Sequence, residues 1–79
     1  MGRAARARMI RETLGANLSR ERERAGLTQA ELATASGVPR ETISRIEVAK
    51  REPRISTLDP LAVALGVHVN LLSALPGPL

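Results

Sequence analysis

Seventy-nine residues with no cysteine, no aromatic side chain and a single histidine make one small domain that no disulfide framework, thiolate zinc site or two-histidine metal motif can staple. A chain this short buries only roughly 60% of the surface its unfolded form exposes, and it has no aromatic platform on which single-stranded bases could stack. The formal charge of +4 equals that of Arg3, Arg6, Arg8 and Arg11, and a second excess, five cations against three acids, lies in residues 39–54; the pattern points to a polyanion, nucleic acid before membrane, with a solubilising arm and a solvated loop as the plainer alternative.

Residues 1–9 read as a basic arm, too polar to join a core. Its cations suit a signal-peptide n-region, but Glu12 and Arg20 to Arg22 stand where the apolar stretch belongs. From Ile10 the pattern turns helical: Ile10, Leu14 and Leu18 recur at i, i+4, i+8 and mark one buried stripe. Gly15 within that helix costs about 1 kcal/mol relative to alanine, which suggests a close packing contact there. Gly26 is placed to cap the helix in the left-handed conformation. Thr28 and Glu31 form a capping box for a second, short helix that ends at Gly37. A third helix opens at about Pro39–Arg40 and runs to about Val48, with Ile43 and Ile46 inward. A fourth spans about Thr57 to Leu65, with Pro60 confined to its first turn or standing just after an Asp59 N-cap. A fifth runs from about His68 to Leu75 and stops at Pro76-Gly77-Pro78, leaving 76–79 as a tail. Residues 61–79 carry no formal charge, yet Gly66, His68, Asn70, Pro76 and Pro78 suit a buried pair of helices better than a membrane span. The expectation is an all-α, five-helix domain over residues 10–75 that is soluble and cytoplasmic.

Residues 29–48, QAELATASGVPRETISRIEV, carry the functional signal. A helix-turn-helix crosses two short helices steeply through a tight turn. The crossing requires a small residue in the first helix, met by Ala33, and a residue tolerant of positive φ four positions later, met by Gly37. Ile43 and Ile46 bury the second helix against the first, and Leu32 and Val38 close the wedge. With these residues, and with Leu27-Thr28-Gln29, Glu31-Leu32-Ala33, Thr42-Ile43-Ser44, Ile46-Glu47 and Leu58 to Val67, the chain resembles the phage-repressor/Cro type of helix-turn-helix protein over about residues 10–75. The resemblance implies a DNA-binding domain that works as a dimer on a two-fold symmetric operator. Two departures stand out: Ala49 occupies a position usually held by glycine, which leaves that turn distorted or one residue longer, and Pro39 replaces the Ser or Thr that commonly caps the third helix.

Opposite Ile43 and Ile46 the third helix presents Glu41, Ser44 and Arg45, with Arg40 near its start, and this set is expected to read base edges in the major groove. Arg40 or Arg45 suits guanine O6 and N7, and Glu41 suits cytosine N4. The competing reading pairs Glu41 with Arg45 at i, i+4 on a solvated face. Thr28 and Gln29, at the second helix N-terminus, and Thr42 are expected on the DNA backbone, together with Lys50, Arg51 and Arg54 beyond the third helix unless these only line a solvated loop. The resemblance further implies an ion pair of Arg22 with Glu47.

Arg3, Arg6 and Arg8 are expected to lie on a mobile arm that settles along DNA when bound and neutralises about three phosphates per subunit. Val69, Leu71, Leu72 and Leu75 exceed what one face of a short helix hides, so a dimer seam is expected there. No residue set supports catalysis, a metal or a cofactor. The expected function is a sequence-specific double-stranded DNA-binding transcription regulator, a repressor acting as a homodimer. An antitoxin-like module that uses the same fold to hold a protein partner is the alternative.

Overall fold

A computed structural model describes residues 2–73. Five helices follow one another: α1 (Arg3–Arg24), α2 (Gln29–Ser36), α3 (Arg40–Glu47), α4 (Ile55–Leu65) and α5 (Val69–Ser73). Helix α1 packs on α3 and α5, α2 on α3 and α4, and α4 on α5, so every helix borders the same core. Leu18, Leu32, Ile43, Ile46, Leu61 and Leu72 are fully buried there, beside Leu14, Val38, Leu58 and Ala62. Among the described residues no helix is long and apolar enough to cross a membrane.

Helix α1 begins seven residues before the expected Ile10, so residues 3–9 are its first two turns and not a mobile arm. Ala4, Ala5 and Ala7 supply the propensity, and Glu12, 3.6 Å from Arg8, offsets part of the repulsion among the arginines. The helix ends as expected at Gly26 (φ +74°): Gly26 N–H donates to the Glu23 carbonyl and Leu27 N–H to the Arg22 carbonyl, the paired bonds of a Schellman cap. Helix α3 closes in the same way, with Ala49 at φ +63°. Ala49 N–H bonds the Ile46 carbonyl and Lys50 N–H the Arg45 carbonyl. The turn keeps the glycine geometry without the glycine, at a cost of about 1–2 kcal/mol for an L-residue in that region.

Helix α4 departs from its expected bounds. It starts at Ile55 with Arg54 as N-cap, which puts Pro60 in the second turn instead of the first. Pro60 has no N–H for the carbonyl of Ser56, and Ser56 lies at an exposed position of the helix, where a lost backbone bond costs less than in the core. Helix α5 starts one residue after His68, whose Nδ1 accepts the Asn70 N–H at 3.1 Å and caps it. Leu72 is fully buried and belongs to the core, not to a seam between subunits. Leu75, the stop at Pro76-Gly77-Pro78 and the tail 76–79 lie outside the described residues.

Candidate nucleic-acid interface

The expected capping box forms at the start of α2: Glu31 N–H donates to Thr28 Oγ1 at 3.0 Å and Thr28 N–H to Glu31 Oε1 at 2.8 Å. These bonds hold the Glu31 carboxyl below the usual carboxylate range, the backbone N–H of Thr28 contributing most. After the eight residues of α2, Gly37 takes φ +77° and its N–H returns to the Ala33 carbonyl, which turns the chain sharply into α3. Val38 is buried in the wedge, and its N–H bonds Ser36 Oγ. A Cβ at Gly37 would meet nothing within 4 Å, so the demand for glycine here is purely conformational.

Two contacts fix α3 against the rest of the domain. At Gly15, α1 lies directly on the last carbonyls of α3: a Cβ there would collide with the oxygen of Ile46 and stand 2.9 Å from that of Glu47. Two turns of α1 further on, Arg22 forks onto Glu47, Nε to Oε2 at 2.7 Å and Nη2 to Oε1 at 3.0 Å, with side-chain exposures of 15% and 6%. The hydrogen bond to Glu47 raises the affinity of the Arg22 guanidinium for its proton above the ordinary arginine level. Arg22 Nη1 also reaches the Leu27 carbonyl at 2.8 Å, and Gln29 Nε2 donates to Glu47 Oε1 at 3.0 Å. The network joins α1, the start of α2 and the end of α3 through one buried carboxylate.

Held in this way, α3 turns Ile43 and Ile46 inward and Arg40, Glu41 and Arg45 into solvent, with Thr42 and Ser44 half-buried on its flanks. Gln29, Arg40, Glu41 and Ser44 line one shallow recess, so the start of α2 and the outer face of α3 form a continuous surface. Arg45 Nη2 meets Glu41 Oε1 at 2.6 Å, with side-chain exposures of 57% and 75%. So open a pair is worth about 0–1 kcal/mol, and Arg45 leaves it at little cost for a stronger acceptor. The i, i+4 pair and an outward reading arginine are thus compatible. Lys50, Arg51 and Arg54 are exposed around the following loop, Lys50 and Arg51 just after the Ala49 turn and Arg54 at the N-cap of α4. Thr28 Oγ1 accepts in the capping box and keeps its O–H as a donor, and Gln29 gives one of its two amide hydrogens to Glu47 and keeps the other.

Two buried polar residues escaped the sequence reading. Asn17 donates from Nδ2 to the Leu72 carbonyl at 2.9 Å, which anchors the short α5 to α1, and Glu21 is buried within reach of Arg20 and Arg24. Both continue the inward stripe of Ile10, Leu14 and Leu18 at helical spacing, which was the signal available. Among the described residues, no group of His, Asp or Glu is arranged to hold a metal ion.

A model of the helix-turn-helix family matches residues 18–72. An uncharacterised HTH-type transcriptional regulator of Sinorhizobium fredii is 42% identical over 65 residues, 81% of this chain and 84% of that protein. A hypothetical transcription factor from Neisseria superimposes with a TM-score of 0.79 at 31% identity, covering 85% of this chain and 77% of the other. The restriction-modification controller protein of Aeromonas hydrophila gives 0.75 at 29% identity, covering 78% and 94%.

Proposed function

We propose a mode of action for this chain from the premise that it belongs to the helix-turn-helix family and is a DNA-binding transcription regulator: it grips double-stranded DNA as a homodimer on a palindromic operator and represses transcription there. The observation that carries the reading is the single surface made by Gln29 at the start of α2 with Arg40, Glu41, Ser44 and Arg45 on the outer face of α3. Arg40 and Arg45 offer donors to guanine, Glu41 offers an acceptor to the cytosine amine, and Ser44 bonds either kind of edge. Thr28, Gln29, Thr42, Lys50, Arg51 and Arg54 flank this set at the positions from which phosphates orient a reading helix.

Dimerisation is supported by apolar surface on the packed pair α4 and α5, where Val63 is 80% exposed and Leu71 also faces solvent. Leu72 takes no part, so a seam would use Leu71 and Val69, the latter half-buried. Repression is supported by the likeness to phage repressors, since a dimer seated across a promoter excludes polymerase. Selection of bound duplexes from a random pool tests the proposal. The expected product is a palindrome with half-sites about one helical turn, roughly 34–36 Å, apart. A single asymmetric site would remove the homodimer, and the absence of any enriched sequence would remove specific reading.

A further inference from the structure

On the same side of α1 as Gly15, one and two turns toward the N-terminus, stand Arg11 and Arg8. Both line one recess with Val48 and Ala49, the turn that closes α3, and a second with Ala4 and Ala5. The chain runs from that turn directly into Lys50 and Arg51, both exposed. We infer that Arg8 and Arg11, carried on the N-terminal half of α1, form with Lys50 and Arg51 a second phosphate-binding element that extends the DNA footprint past the end of α3. The inference rests on the DNA-binding reading above and commits to the backbone of the same duplex as occupant.

Charge and geometry support it together. Two cations line the recess at the Ala49 turn and two more follow that turn directly in sequence; the acids beside them are Glu12, in the same recess, and Glu52, next in sequence and exposed. Glu12 holds Arg8 only loosely, at 3.6 Å with both side chains more than 60% exposed. Phosphates are the stronger partner for a guanidinium. Helical phase separates these arginines from the other two of the N-terminal run: at 100° per residue, Arg3 and Arg6 point roughly 110° and 170° away from the Arg8–Arg11 direction. Only half of the N-terminal charge therefore faces the DNA side. At 1.5 Å per residue, Arg11 and Arg8 stand about 6 and 10 Å beyond the Gly15 crossing, a reach of two to three nucleotides at about 3.4 Å each.

The test compares the intact protein with Arg8→Ala/Arg11→Ala, Arg8→Lys/Arg11→Lys and Arg3→Ala/Arg6→Ala on a duplex selected by the intact protein. The expected result for Arg8→Ala/Arg11→Ala is a log K against log salt slope flatter by about 2 per subunit. Its hydroxyl-radical footprint should shorten by about two to three nucleotides at one flank of each half-site, with base preference unchanged. The lysine variant should restore the slope, and Arg3→Ala/Arg6→Ala should match the intact protein. A different role, in which these cations only steady the carbonyl end of α3, predicts a lower melting temperature with an unchanged slope and footprint; that outcome overturns the inference. An equal loss from Arg3→Ala/Arg6→Ala overturns it too, because diffuse charge would then suffice. If the intact protein selects no duplex, the DNA-binding mode has failed and the inference falls with it, an outcome told apart by the control alone.

Discussion

Gly15→Ala sets two rules of helix stability against each other. Intrinsic propensity favours alanine in a helix interior by about 1 kcal/mol, so a reading from α1 alone makes the substitution stabilising. The packing against α3 reverses the sign. The added methyl would collide with the Ile46 carbonyl oxygen and lie 2.9 Å from that of Glu47, and both are backbone atoms with no rotamer to yield. Overpacking of a tight contact costs about 1–3 kcal/mol, and the upper end applies where the obstacle is main chain. After the propensity gain, a net loss of about 1–2 kcal/mol remains, which in a domain of this size lowers the melting temperature by about 5–15 °C. Relief by separating α1 from α3 would also stretch the Arg22–Glu47 fork, so operator affinity should fall with stability. Thermal unfolding followed by circular dichroism reads the effect, with Ala16→Gly, at an exposed position of the same helix, as the propensity control. A Gly15→Ala protein as stable as its parent, or more stable, would refute the argument that this glycine is required by the crossing.

Ala49→Gly should act in the opposite direction, stabilising by about 0.5–1 kcal/mol, because relief of the left-handed strain exceeds the added freedom of the unfolded chain; denaturant unfolding midpoints check it. Glu47→Ala leaves Arg22 and Gln29 without their shared acceptor and should cost about 3–5 kcal/mol, measured in the same titration, whereas breaking the exposed pair with Glu41→Ala should cost under about 1 kcal/mol. The Glu31 carboxyl is held below its ordinary value of 4.5, so its cap contributes fully above that pH and is lost as the pH falls through the lower folded value. The melting-temperature gap between the parent and Glu31→Gln should accordingly be constant near neutrality and shrink below about pH 4.5. Arg45→Ala should weaken specific binding by about 1–3 kcal/mol and relax one base position per half-site, and an unchanged selected sequence would exclude Arg45 from reading.

The parts legible in the sequence were those written in local signals. Thr28 with Glu31, Gly26 and Gly37 each mark a helix end through the chemistry of a single turn, and the structure puts caps there. Ile43 and Ile46 mark the inner face of α3 by spacing alone, which also fixes its outer face. What stayed illegible depends on partners distant in sequence. Leu72 belongs to the core because α1 brings Asn17 and the Leu14–Leu18 stripe over α5, a contact that no periodicity within residues 68–75 encodes. Pro60 looked confined to a first turn because a proline costs a helix one hydrogen bond, yet tertiary packing of Leu58, Leu61 and Ala62 carries α4 back to Ile55 past that penalty. The polarity of residues 3–9 suggested an arm, but polarity decides burial and not helicity, and a helix anchored by the buried Leu14 and Leu18 extends outward through alanines at little cost.

The division of rigid and loose contacts around α3 suggests how such a protein changes its operator without losing its fold. The contacts that hold the helix, Gly15 on the α3 carbonyls and Arg22 with Gln29 on Glu47, all lie at its inner or C-terminal side and are buried or half-buried. The groups offered for reading, Arg40, Glu41 and Arg45, lie outside and N-terminal to these, joined to one another only by a solvent-exposed pair. Substitution among the outer residues therefore leaves the orientation of the helix untouched, because none of its positional contacts passes through them. Each inner contact, by contrast, changes the angle at which every outer residue meets the groove, so its loss should lower affinity for all sequences together. On the proposed reading, specificity and scaffold are largely separable because they use different faces of an eight-residue helix, with Gln29 common to both.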